Sequence, residues 1–484
     1  MTDVRPRSGV AIAHAVPATR ALVALLAATM VTAVIVNDMQ GSALSPLIAT
    51  MMHDLSLNAA DVGWILNGYT LAGAAFSGFL ARAGDSFGQR RMLLIISGIG
   101  LVGAVLAGFA WSFPVLLIGR VMMGMGLAAV ALVWGLIRPR ASAAQVQRFS
   151  FLNATTSFAV VAVASLLGGL FIVSGIPWQA IFWVTAAGYV LLIGLVIATP
   201  EAQVSRDAVR FDLVGGIGLG LWLFALLLGM SWGIDDGYGD PRTVTVLIVA
   251  AVLCVLWVVQ QVRNPHRLMA FHRDDARLML SGYTGAWSIY LTSAFMFSLM
   301  PIMLQAPQSS GYGLGLGVLE STLPLLMLLP AAAVTWVTSG LLLRAFGPRV
   351  VMFGGAVVTT CAFVGLAWFN DSYGEFFVWV FVYGLGLLTV YHCSMALTAA
   401  STRQDNVAVT VGMQYAAGSL VASVSTAIVI NVIGTGDENG VIPLPNISFG
   451  FLLGGLLILA LGVVWLFLVP RRHVDRHAVD APAE

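Results

Sequence analysis

Three ionisable side chains fall inside long apolar stretches of this chain: Asp38 in TAVIVNDMQGSALSP, Arg120 in VLLIGRVMMGMGLAA and Glu320 in LGVLESTLPLLM. A charge in hydrocarbon is costly unless it is paired, hydrogen-bonded or wetted, so such residues are functional candidates by default. A carboxyl group in a dry cavity is suited to carrying a proton: burial favours the neutral acid, and an approaching guanidinium favours the carboxylate. At about 1.5 Å of rise per residue, all three residues fall at comparable levels in the outer half of their segments. Asp38 and Arg120 are therefore expected to face one cavity, with Asp38 as a protonation site coupled to Arg120. Glu320 is read as a second acid or a cation contact. The stretch WSIYLTSAFMFSLMPIMLQ, rich in aromatics and methionine, suits a large and adaptable apolar pocket. Trp287, Tyr290 and Phe297 from it, with Asn37, Gln40 and Gln414, are the candidate cargo contacts. A lone His392 reads more simply as a hydrogen-bonded packing residue than as a relay.

The elements that must hold these residues are membrane spans. Of 484 residues, 59% are hydrophobic and 9% charged, against about 25% charged in soluble domains; the mean hydropathy is +0.92. A span needs about 20 apolar residues. Fourteen such runs are expected, at 21–48, 61–82, 91–110, 112–137, 149–173, 178–199, 211–232, 241–262, 277–305, 316–340, 349–370, 374–398, 405–433 and 447–470. With the N-terminus inside, 21 of the 23 basic residues, all of them arginines, fall in cytoplasmic segments. Only Arg242 lies in an exterior loop, and the exterior collects Asp54, Asp61, Asp235, Asp236, Asp240, Asp371, Glu375, Asp437 and Glu438. That asymmetry places both termini in the cytoplasm. The N-terminal apolar run is too long for the core of a cleavable signal, and none is expected.

The expected fold is an all-α polytopic membrane protein: an N-terminal six-helix bundle over 1–200, a linker with two extra spans over 201–276, and a C-terminal six-helix bundle with a tail over 277–484. The charged turn Ala81–Arg91, ARAGDSFGQRR, cannot sit in hydrocarbon and must face water between two spans. Gly340–Arg349 echoes it in the second half. Cys254, Cys361 and Cys393 all fall in apolar runs without metal-site spacing. There is no P-loop, HExxH or Cys/His cluster, so ATP-driven transport by this chain alone and enzymatic chemistry are excluded, and no cofactor or metal is expected.

The turn between spans two and three resembles the cytoplasmic loop motif of the major facilitator superfamily through Asp85, Gly88, Arg90 and Arg91; Gly340, Arg344, Gly347 and Arg349 resemble its second-half copy. LLIGRVMMGMGLAA is similar to the superfamily's intramembrane arginine followed by glycines, here Arg120, Gly124 and Gly126. LLGGLFIVSGIPWQAIFW, IVNDMQGSALSPLI and GMQYAAGSLVASV resemble stretches of the fourteen-span drug/proton antiporter family. The departure is in span five, where Ala164 and Ser165 replace the Gly-Pro expected ahead of Gly168 and Gly169. The resemblance implies the major facilitator fold and alternating access. It implies a conformational latch made by Asp85, Gly88, Arg90, Arg91, Arg344 and Arg349. It also implies a monomeric, proton-coupled exporter of amphiphilic or cationic small molecules in the bacterial inner membrane. Its partners would be the cargo, protons and the lipid bilayer, with no nucleic acid. The span-five departure keeps open a dedicated exporter or symporter of a native metabolite or lipid.

Overall fold

The computed structural model describes residues 19–57, 59–200, 212–264, 276–401, 407–434 and 441–469. The arginines of 1–18, 201–211, 265–275, 402–406 and 470–484, which enter the charge asymmetry above, lie outside them. The described residues are helical, with no strand among them. Among the described residues, ten stretches are long and apolar enough to cross a membrane, and 214–230 and 420–433 are shorter apolar helices.

In chain order the helices are α1 (Arg20–Ser42), a short α2 (Ile48–Leu55), α3 (Ala59–Phe87), α4 (Gln89–Gly108), α5 (Phe113–Gly124), α6 (Ala128–Ile137), α7 (Ala143–Val173) and α8 (Ala180–Ala198). Then come α9 (Leu213–Asp235), α10 (Pro241–Arg263), α11 (Ala276–Gln305), a one-turn α12 (Val318–Thr322), α13 (Leu328–Trp368), α14 (Tyr373–Ser401), α15 (Val407–Ile433) and α16 (Leu444–Leu468). Local chemistry sets many of the boundaries. Ser142 and Gln145 form a reciprocal capping box at the start of α7. Asp240 caps α10, with Pro241 at the first helical position. The interior Pro301 interrupts the hydrogen-bond ladder of α11.

The charged turns end in glycines with backbones that L-residues rarely adopt. Gly88, at φ 102° and ψ 127°, starts α4. Gly347, at φ 75° and ψ 164°, breaks α13 into two segments. The two sites thus repeat one device. Gly347→Ala should cost about 1–3 kcal/mol, read as a lower melting temperature of the purified protein.

One buried cluster is built from residues between Leu26 and Val196. A second combines Ala154, Phe158 and Ala162 of α7 with residues from Ala286 to Phe451. Helices α3 and α6 pack on α15, and α7 packs on α12, α13 and α14. Helix α9 rests against α3, α15 and α10, whereas α10 packs on α9 and leaves Val252, Val255, Leu256 and Val262 exposed. The α9–α3 seam is set by small residues: a Cβ on Gly220 would come within 2.5 Å of the Ala75 carbonyl oxygen, and one on Gly216 within 2.6 Å of the Phe79 ring. Gly220→Val should force α9 off α3 and cost about 1–3 kcal/mol; a melting curve matching the parent would show that the seam is loose. At the N-terminal end of α9, the buried Asp212 accepts hydrogen bonds from the Gly215 amide and from Gln260 and Gln261 of α10. These join the two helices as a pair.

Candidate functional site

The site grows from one turn of α1. Positions 37 and 40 lie about 60° apart around a helix axis, whereas 38 is rotated about 100° from 37. Asn37 and Gln40 are buried, and Asp38 is half-buried. The turn therefore has two faces with different partners.

The first face meets Arg120. A Cβ on Gly124 would come within 2.3 Å of the Tyr69 carbonyl oxygen, so α5 approaches the backbone of α3 closely. One turn earlier on each helix, that approach lets Arg120 Nε donate to the Ile65 carbonyl at 3.0 Å. Arg120 Nη1 donates to the backbone and side-chain oxygens of Gln40 at 3.2 and 3.1 Å. The guanidinium lies 4.8 Å from the Tyr69 ring centroid, a cation–π distance. Gln40 Nε2 donates to Thr185 Oγ1 at 2.7 Å, and the Tyr69 hydroxyl to the Asn37 carbonyl at 2.9 Å. Arg120 is 1% exposed and is held by carbonyl oxygens and an aromatic face. No ion pair joins Arg120 and Asp38 in this structure, and Tyr69 lies within electrostatic reach of both. Gln40, expected to contact cargo, is bound into this cluster instead.

The second face carries Asp38. Its carboxyl group is hydrogen-bonded by the Ser157 side chain of α7 and lies within electrostatic reach of Tyr290 of α11. Asp38, Ser157 and Tyr290 are all half-buried. Asp38 of α1 thus has a hydrogen-bond partner on α7 and an aromatic neighbour on α11. Tyr290 seats its ring on α15 at Gly418, where a Cβ would come within 2.3 Å of it. Asn37, on the first face, carries a buried carboxamide with no hydrogen-bond partner among the described residues.

The remaining expected residues are dispersed. Trp287 stacks near Tyr283 at 5.7 Å and donates its indole N–H to the Gln414 carbonyl at 3.2 Å. Phe297 is half-buried beside the second core cluster. Glu320 does not join Asp38: it is an exposed residue in the first turn of α12, and its backbone carbonyl accepts from the Tyr373 hydroxyl at 2.6 Å. Three-ten backbone at Leu323–Met327 separates it from the long helix, so the apolar run that seemed to bury it starts deeper. His392 is fully buried, with Nδ1 3.0 Å from Ser339 Oγ and Nε2 3.3 Å from Thr155 Oγ1 of α7.

At the charged turn before α4, Arg90 donates from Nε and Nη2 to the Val196 and Ile197 carbonyls at 3.1 and 2.7 Å. It thereby caps the C-terminus of α8, where a cation is favoured. Arg91 and Arg344 are exposed and Arg349 is half-buried. Asp85 lies in the last turn of α3; its side chain is outside the described residues, so the expected latch is not visible as an ion pair.

Tyr69, Thr185 and Ser157 were not singled out from the sequence. Lone aromatics and hydroxyls in spans carry little signal. Asn153 and Ser157, however, sit at the i, i+4 spacing that puts two polar groups on one face of α7.

The Major Facilitator Superfamily model matches residues 30–426. Among curated relatives, the tetracenomycin C resistance and export protein of Streptomyces glaucescens is 25% identical over 384 residues, covering 78% of this chain and 70% of that protein. The uridine/deoxyuridine transporter of Lactococcus lactis is 26% identical, covering 71% and 72%. The multidrug resistance protein Stp of Mycobacterium tuberculosis is 28% identical over 217 residues, covering 44% and 40%. Among solved structures, the human organic anion transporter MFSD10 superposes with a TM-score of 0.64 at 12% identity, covering 93% of this chain and 99% of that one. The proton:xylose symporter XylE gives 0.61 at 12%, covering 93% and 96%. With its family match over most of its length, its apolar helices and this shared fold, the chain belongs to the Major Facilitator Superfamily, whose members are multi-pass membrane transporters of small molecules and not enzymes.

Proposed function

We propose that the protein is a proton-coupled exporter of amphiphilic or cationic small molecules, of the fourteen-span drug/proton antiporter type, working by alternating access in the bacterial inner membrane. On this reading residues 1–200 and 277–484 form two six-helix bundles. The α9–α10 pair within 201–276 is an insert, both termini are cytoplasmic, and the unit is a monomer. The observation that carries the reading is Asp38, an acid on α1 that is hydrogen-bonded by the Ser157 hydroxyl of α7, lies near Tyr290 of α11 and has no ion pair among the described residues. Without a fixed counter-cation, it can take a proton in one state and exchange it for cargo in another. The left-handed glycines 88 and 347 and the arginines around them would serve as the cytoplasmic latch. Export as the direction draws support from two of the relatives, which are resistance or export proteins.

The span-five departure leaves the α7 packing in place. A Cβ on Gly168 would come within 2.4 Å of the Ala43 carbonyl oxygen, and one on Gly169 within 3.0 Å of Leu319. A second reading, a carrier dedicated to one native metabolite, draws support from the uridine/deoxyuridine transporter among the relatives. The deciding experiment is a substrate-panel flux assay in proteoliposomes with an imposed pH gradient. Several unrelated amphiphiles moved against the gradient would favour the first reading, and a single nucleoside-like solute the second. No pH-driven flux of any solute would remove proton coupling.

A further inference from the structure

One helical turn inward from the Asp38 level lies a second polar layer. On α7, Asn153 sits one turn from Ser157, and on α15, Gln414 sits one turn from Gly418, each about 6 Å away along its axis. Both amides converge on Met395 of α14: Asn153 Nδ2 and Gln414 Nε2 each lie 4.0 Å from its Sδ. Asn153 is 1% and Gln414 3% exposed. Asn153 Oδ1 and Gln414 Oε1 have no hydrogen-bond partner among the described residues. A thioether is a weak acceptor, so neither amide is properly satisfied at either end, and exchanging O and N in either one does not change that. Trp287, bonded to the Gln414 carbonyl, adds an aromatic face next to this layer. No residue named in the layer is charged.

Buried amides without partners cost stability and are rare. Two of them meet here from opposite sides of the molecule, in a family that moves small molecules. We propose that Asn153, Gln414 and Met395 form a cargo subsite that takes the uncharged, hydrogen-bonding edge of an aromatic molecule. Amide, hydroxyl or carbonyl groups of the cargo pair with the two carboxamides, and its apolar body lies against Trp287 and the Met395 thioether. Recognition of cationic cargo then belongs to Asp38 one layer outward. This rests on the transporter reading above and adds to it a selectivity for neutral polar aromatics that Asp38 alone does not give.

The test is equilibrium binding to the purified full-length protein in nanodiscs, with two probes. Chloramphenicol is an uncharged aromatic carrying amide and hydroxyl groups; tetraphenylphosphonium is an apolar cation with no hydrogen-bond donor. Asn153→Leu and Gln414→Leu should each weaken chloramphenicol binding at least about tenfold, which is the loss of one good hydrogen bond to a satisfied partner. Tetraphenylphosphonium binding should stay within about twofold, and the melting temperature should hold or rise as an unpaired buried amide is removed. If a leucine variant does not assemble, Asn153→Ala and Gln414→Ala are read in the same way for the two probes. The proposal is overturned if the parent does not bind chloramphenicol, if the variants bind it normally, or if both probes weaken together as the melting temperature falls. Asp38→Asn run in parallel separates the readings. Normal pH-driven flux in that variant removes the proton reading and leaves the binding result standing, whereas unchanged chloramphenicol binding in the amide variants removes only this subsite.

Discussion

Asp38→Asn is expected to reduce proton-driven transport by at least about 100-fold while leaving a folded protein. A positioned proton-transfer group contributes rate factors of about 10² to 10⁴. Asparagine keeps the size of the side chain and can still accept from Ser157, so the hydroxyl partner is not orphaned. What it cannot do is change charge. Downhill cargo movement through the cleft, which needs no proton, should therefore persist in this variant. Proteoliposomes carrying either protein, assayed with and without a pH gradient, separate the two quantities. Parent-like gradient-driven accumulation in the variant would take Asp38 out of the mechanism.

Arg120→Ala is expected to act on folding before it acts on transport. Its guanidinium donates to the Ile65 carbonyl and to both oxygens of Gln40 and lies on the Tyr69 ring. Removal leaves the Gln40 side-chain oxygen and two helix carbonyls short of donors in a buried site, and opens a cavity beneath Tyr69. The expected loss is about 3–5 kcal/mol, seen as a collapse in the yield of monodisperse protein and a clear fall in melting temperature. Arg120→Lys should rescue little, because a single ammonium cannot fork to Ile65 and Gln40 together. An Arg120→Ala protein that melts like the parent and yet transports nothing would contradict the structural role and return this residue to the coupling machinery.

Many of the helices were legible in the sequence, because apolar length is a property of local composition. The run expected at 277–305 appears as Ala276–Gln305, and the one at 178–199 as Ala180–Ala198. The breaks were not legible. Met125–Leu127 and Leu323–Met327 are three-ten turns inside apolar runs, and hydropathy does not distinguish them from regular helix. The second break is what separates Glu320 from the long helix and leaves it in an exposed turn.

The intramembrane residues were legible as types and not as partners. Asp38 and Arg120 stand out because charge is rare in spans. Their separation into two clusters depends on Gly124 bringing α5 against α3 and on the 100° between Asn37 and Asp38. The first is a tertiary contact between residues far apart in sequence. The second follows from helix geometry, and it predicts that Asn37 and Gln40 share a face that Asp38 does not.

The claim that cargo and proton exchange at Asp38 is tested most directly by following protons on cargo binding. Purified protein in weakly buffered detergent, held at a pH where the acid is partly protonated, is mixed with a transported amphiphile while a pH indicator is read. The account predicts release of a fraction of a proton per bound molecule in the parent and none in Asp38→Asn, with the binding itself still measurable in both. Equal proton release from the two proteins would place the exchanged proton elsewhere and contradict the account.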